Sequence, residues 1–166
     1  MSPEWAEEKY AAVAKRTDKQ KDIMIVSLMK VIQEQGFDMS AIKMERVKMV
    51  TRADILAYAK ENYNTDPERL WAKYPEYEVL RHRKNQKWYA ILMDVPGNKV
   101  GLETDEVLDI IDIKCEPDMI LTLSAQTGFA PAYHMNKKHW LTILLNGSVN
   151  DDEIYNLLDM SYEMTK

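Results

Sequence analysis

The densest gathering of chemically capable side chains is Tyr133-His134-Met135-Asn136-Lys137-Lys138-His139-Trp140, which holds two histidines, two lysines, an asparagine and two aromatic rings. Lys137 and Lys138 are suited to phosphate oxygens, while Tyr133, His134, Asn136 and Trp140 offer ring faces and hydrogen bonds for bases or sugars, with His139 on the same candidate surface. A second cluster, Arg81-His82-Arg83-Lys84 with Lys87, is the densest positive run of the chain. It falls on an expected hairpin, a shape that can track a phosphate backbone through Arg81, Arg83, Lys84 and Lys87.

Each cluster also has a purely structural reading. Tyr133 and Trp140 can belong to the core, with His134 and Asn136 bonding the backbone of a loop that lacks regular structure. The basic hairpin can be an edge kept soluble by its charge, a common protection against strand-to-strand aggregation.

Other chemistries find less support. His134 and His139 are five apart, His82 is remote and Cys115 is the only cysteine, so neither a metal site nor an internal disulfide is expected. The acidic run Glu103, Asp105, Glu106, Asp109, Asp112 lacks the glycine and ligand spacing of a calcium loop and reads as a solvated face. Five scattered glycines leave no phosphate-cradling loop, dinucleotide fingerprint or nucleophile elbow. No catalytic residue and no cofactor are expected, and the balance leans away from an enzyme.

Composition bounds the rest. The 166 residues are 46% apolar and 30% charged, enough for one domain with a real core plus an appendage. The formal net charge of -5 opposes non-specific nucleic-acid binding, so any such function must rest on local patches. The opening MSPEWAEEKY has no signal-peptide pattern, and the most apolar stretch, 23–32, is interrupted by Ser27 and Lys30 and is shorter than the ~20 residues of a membrane span. A soluble, cytoplasmic protein is expected.

The elements that must position these residues follow from caps and periodicity. Residues 1–50 read as a helical extension: Ser2-Pro3 opens one helix, and Thr17 with Gln20 opens another that runs to about Gln35 and stops at Gly36. Its 23–32 segment is apolar around most of its circumference and needs cover, from the main domain or from a second copy of the chain. Residues 38–50 lean towards a short helix. From Thr51, paired with Asp54 in a capping box, a helix runs to Asn62–Asn64, and Asp66-Pro67 is expected to open a helical turn carrying Leu70 and Trp71.

Strands are expected at 77–83 and 88–95, the second apolar on both faces and therefore central and covered twice. A strand at 107–114 follows the turn Pro96-Gly97-Asn98. Glu116-Pro117-Asp118 caps a helix that Gly128 ends, and 140–145 is a strand closed by Asn146-Gly147. The last helix starts near Asn150 with Glu153 as capping-box partner and turns Ile154, Leu157, Leu158 and Ser161 inward. Helices gathered on one face of an antiparallel sheet make a two-layer α+β domain over 51–166.

The segment Pro131-Ala132-Tyr133-His134-Met135-Asn136-Lys137-Lys138-His139-Trp140, the following strand, Asn146-Gly147-Ser148 and the acidic last helix ending Ser161-Tyr162 resemble the MmcQ/YjbR family. Lys87-Trp88-Tyr89-Ala90 and Ile113-Lys114-Cys115-Glu116-Pro117 match its strand and its strand-to-helix turn, so the resemblance covers about 51–165. It departs at Tyr74-Pro75-Glu76-Tyr77, where the family has a Pro/Phe/Gly-rich segment, and in residues 1–50, which short members lack. The resemblance implies a fold akin to secretion chaperones and to a double-wing DNA-binding domain, and with it a DNA- or other nucleic-acid-binding accessory function. The alternatives are a non-enzymatic protein-interaction or chaperone-like module, including a homodimer through 23–32, and a small-ligand binder around His134.

Overall fold

A computed structural model describes residues 49–166 together with Glu34, which is helical and exposed. The expected helical extension over 1–50 otherwise lies outside the described residues. Val50–Lys166 forms one compact unit.

Its first helix, α1 (Arg52–Tyr63), begins where the sequence places it. The Thr51 hydroxyl accepts the Asp54 N–H at 3.2 Å and the Asp54 carboxylate accepts the Thr51 N–H at 3.0 Å, so two orphan donors are satisfied reciprocally. Asn64 ends it in the left-handed region, φ 52, with its N–H on the carbonyls of Ala59 and Lys60.

Strands β1 (Glu78–Arg81), β2 (Trp88–Pro96), β3 (Val107–Lys114), β4 (Phe129–Pro131) and β5 (Trp140–Leu144) form one antiparallel sheet in the order β1-β2-β3-β5-β4. Helices α2 (Pro117–Leu123) and α3 (Asp151–Thr165) complete the domain. Period-2 alternation sorts the strands into two cores. On one face Leu80, Leu92, Ile111, Ile113, Leu141 and Ile143 meet Ile55 and Ala59 of α1, Ile120 and Leu123 of α2, and Ile154, Leu157 and Leu158 of α3. On the other, Val79, Ile91, Met93, Val95, Ile110, Trp140 and Leu144 are covered by the short 3-10 helix Gly97–Val100 and by irregular chain carrying Trp71, Tyr77, Leu102, Tyr133 and Met135, and no α-helix among the described residues packs on this face. The two-layer α+β arrangement therefore stands, with β2 apolar on both sides because both sides are covered. Its register slips between Leu80↔Ala90 and Arg81↔Trp88, leaving Tyr89 as an extra residue that packs with Ala90 on the helix side.

Four local expectations are corrected. Residues 66–71 are not a helical turn: Glu68 exchanges backbone hydrogen bonds of 3.0 and 2.9 Å with Val79, which satisfies the outer edge of β1. Helix α2 ends at Leu123 rather than running to Gly128, whose φ of +93 serves the entry to β4. A Cβ there would fall 2.5 Å from the Val149 side chain, so the position excludes larger residues on space as well as on conformation. The Asn150 side chain caps α3 through the Asp152 N–H at 2.9 Å and not through a box with Glu153. The three-residue β4 lies in what reads as an irregular loop.

Ser161 of α3 fastens this helix to the sheet with polar bonds as well as apolar contact. Fully buried, its hydroxyl accepts the Lys114 N–H at 2.8 Å and donates to the Tyr89 carbonyl at 2.5 Å. Ser161→Ala strands both backbone groups and is expected to lower stability by about 1–3 kcal/mol, read as a fall in the denaturant midpoint at unchanged slope. An unshifted midpoint would mean that water takes over both bonds.

Candidate functional site

The strand register carries both basic segments to one end of the sheet. Arg81 faces Trp88, Ala90 faces Ile113, Lys114 faces Trp140 and Pro131 faces Leu141, so the 82–87 turn and the 132–139 loop leave the same end, on either side of Lys114. The turn is fastened to the last turn of α3: His82 Nε2 lies 3.0 Å from the Tyr162 carbonyl and 2.8 Å from the Thr165 hydroxyl, and the Asn85 amide donates to the Thr165 carbonyl at 2.9 Å. Burial holds the His82 imidazole below its ordinary pKa, so it is a neutral strut rather than a cation. The start of the loop, through Tyr133 and Met135, packs on the opposite, helix-free face.

The cations of the hairpin divide into two kinds. Arg81 bonds the Glu68 carboxylate at 2.6 Å and Arg83 bonds Asp66 at 3.0 Å, both from the extended segment beside β1. Lys84, Lys87, Lys137 and Lys138 are exposed and form no ion pair among the described residues. The structure thus leaves four of the six candidate cations with uncommitted charge.

Within the loop, Asn136 shapes the backbone: its side chain accepts the Lys138 N–H at 3.0 Å and its carbonyl accepts the His139 and Trp140 N–H groups at 3.0 and 2.9 Å. Trp140 is buried in the core, with the Lys114 ammonium 5.5 Å from its ring centre. The exposed His134 takes φ +59, uncommon for a side chain with a Cβ, and lays its ring 4.0 Å from that of Tyr133. His139 is exposed and its carbonyl accepts the Cys115 N–H at 2.9 Å.

Tyr133, His134 and Met135 form one wall of a cavity of about 270 Å³ on the helix-free face. Ile91 and Met93 form the floor, and Trp71, Tyr74 and Tyr77 the opposite wall. Tyr74 stacks on Tyr77 at 4.8 Å, and Trp71 meets Tyr77 and Trp88 edge-on at 6.2 and 5.7 Å. Burial, with Tyr133 and Asp94 nearby, pushes the Tyr77 hydroxyl up to about 12, so it remains a donor at any ordinary pH. Reading the sequence by periodicity misses this wall; the available signal is ring density, the three aromatic residues Trp71, Tyr74 and Tyr77 within seven positions.

Beneath the loop lies Asp112, which does not share the solvated face expected for the acidic run. Glu103, Asp105 and Glu106 are exposed and Asp109 bonds Arg52, but Asp112 points into the helix-free core and is completely buried. The reason is strand parity: Asp112 lies opposite Ile91 and Thr142, both on that face. Its Oδ1 accepts from the Thr142 hydroxyl, which in turn accepts the Tyr133 N–H at 3.1 Å, so the carboxyl roots the loop to the sheet. Among the described residues its Oδ2 has no hydrogen-bond partner. Burial pushes the carboxyl up to about 7, against the pull of Thr142, the Tyr133 amide and the Lys137 charge.

Comparison with known proteins agrees with this architecture. The YjbR family model matches residues 61–164. The uncharacterised Bacillus subtilis protein YyaQ is 42% identical over 118 residues, which is 71% of this chain and all of that protein. The uncharacterised Escherichia coli protein YjbR is 39% identical over 54 residues, 32% of this chain and 46% of that one. A crystal structure of a Pseudomonas syringae protein, 44% identical, superposes with a TM-score of 0.69 over 70% of this chain and all of that one. A Deinococcus radiodurans protein, at 24% identity and a TM-score of 0.54 over 70% and 78% of the respective chains, shares the fold. No helix among the described residues is long and apolar enough to cross a membrane.

Proposed function

The chain belongs to the YjbR family, and on that premise we propose that it is a nucleic-acid-binding accessory protein that engages single strands. The observation that carries the reading is that Lys84, Lys87, Lys137 and Lys138, exposed and without an ion pair among the described residues, lie on two segments that leave the same end of the sheet, the second of which also walls an aromatic-lined cavity. Free ammonium groups gain phosphate by releasing condensed counterions, and ring faces accept bases only where the bases are unstacked. Duplex binding is the weaker option. The net charge of -5 repels a dense phosphate array, and of the two arginines that would complete a wing, Arg81 is paired with Glu68 and Arg83 shares Asp66 with Lys60.

Titration of the full chain against single-stranded DNA, RNA and duplex at several salt concentrations tests this. The expected result is preference for single strands, with a log–log salt slope of about -3 for four phosphate contacts at ~0.7 each. The double variant Lys84→Glu, Lys137→Glu should weaken binding for every sequence alike, because phosphate contacts position a strand without reading it. Absence of binding at low salt, with an unchanged circular dichroism spectrum, would overturn the reading in favour of a protein-interaction module.

A further inference from the structure

We infer that the cavity on the helix-free face is the seat of one unpaired nucleobase, stacked among Trp71, Tyr77 and Tyr133, while the flanking phosphates meet Lys137 and Lys138. This rests on the nucleic-acid reading and assigns it a site.

Three features of the cavity select that occupant. Its size comes first: at about 270 Å³ it lies just below the range of roughly 300–1,000 Å³ usual for small-molecule pockets, so it holds a single ring system. The second is its chemistry. The lining is aromatic and apolar, with Trp71, Tyr74, Tyr77 and Tyr133 around Ile91, Met93 and Met135, so the gain comes from ring contact and apolar burial rather than from hydrogen bonds to a base edge. Such a seat accepts any base, with larger rings favoured. The third is continuity. The wall residues Tyr133 and His134 and the free cations Lys137 and Lys138 belong to one short loop, whose shape is fixed by Asn136 and whose root is bonded to Thr142. An aromatic side chain of a partner protein would fit the rings equally well but would leave these ammonium groups without counter-charge. A nucleotide matches both. His134, held at φ +59, keeps its ring beside that of Tyr133 at the rim, an uncommon conformation of the kind that gathers at binding sites.

The experiment compares a homopolymeric single strand with an abasic sugar–phosphate strand of equal length, both titrated into the full chain. The base-bearing strand should bind more tightly, and Trp71→Ala should reduce its affinity about tenfold, within the range for loss of one base–ring stack, while leaving the abasic strand unaffected. Trp71→Phe should restore most of the loss. Tyr74→Ala, at a cavity residue 42% exposed and outside both cores, should lower base-dependent affinity in the same sense without threatening the fold. Equal affinity for the two strands, unchanged by Trp71→Ala and Tyr74→Ala, would overturn the base seat and leave the nucleic-acid reading standing. Failure of both strands to bind would overturn both.

Discussion

Leu158→Ala is expected to destabilise the domain by about 2–5 kcal/mol, the largest effect of any single truncation on α3. Leu158 is completely buried and sits with Ile154 and Leu157 against the helix-side face of the sheet. Two terms add. The removed methyl and methylene carbons lose their transfer free energy, and the void that remains costs the contacts its lining can no longer make. The void cannot close easily, because Ser161 one turn on holds the helix at fixed height through its bonds to Lys114 and Tyr89. Leu157, 8% exposed, should cost less on truncation. Chemical denaturation of both variants checks the order; a Leu157→Ala effect exceeding that of Leu158→Ala would show that the helix is rotated about its axis.

Asp112→Asn is expected to stabilise the protein at pH 8 and to matter progressively less towards pH 4. The sign follows from where the proton sits. The folded carboxyl is raised from 3.8 to about 7, so between these values the native state holds a proton that the unfolded chain has released. Stability therefore falls as pH rises through that window, and the penalty is complete above pH 7. A rise of this size corresponds to at most about 4 kcal/mol. Asparagine keeps an acceptor for Thr142 but puts an amide NH₂ where Oδ2 already lacks a partner, so the realised gain should be smaller. Denaturant midpoints of both proteins from pH 4 to pH 8 provide the test. Parallel profiles would show that Asp112 ionises in the fold with compensation from Lys137 or from water drawn beneath the loop.

The difference between what could and could not be read from the chain is largely one of range. The Thr51–Asp54 box, the end of α1 near Asn64, the two-sided apolarity of β2 and the inward stripe Ile154, Leu157, Leu158, Ser161 depend on residues within a turn or two of one another, and each appears where its local signal lies. Apart from the α3 cap, where Asn150 takes the N–H of Asp152, the errors at Glu68, β4 and Asp112 depend on partners in other elements. Asp66-Pro67 has a plausible helix-start pattern, but the unpaired edge of β1 offers Glu68 two backbone bonds that a helical turn would forgo. The three-residue β4 is too short to show a period and exists because β5 has a free side. Asp112 belongs to an acidic run whose other members are exposed or ion-paired, and only the parity of β3 sends it inward. At the candidate site the lysines and the 133–140 loop were legible as types, whereas Trp71, Tyr74 and Tyr77 become a wall only when the chain folds back over β2. Likewise, nothing local reveals that Arg81 and Arg83 are claimed by Glu68 and Asp66.

The bonds from His82 and Asn85 to Tyr162 and Thr165 join residues about 80 positions apart. During synthesis the first hairpin can therefore pair early, yet its turn cannot be fixed until Thr165 has left the ribosome. The same delay applies to the helix-side face, which stays open until α3 can dock, and to the gap beside β3 that only β5 fills. Contacts this far apart in sequence form slowly, and folding to the final state should wait until α3 has been made. In that interval the nascent sheet exposes Leu80, Leu92, Ile111 and Ile113, the residues that a ribosome-associated chaperone would have most reason to shield.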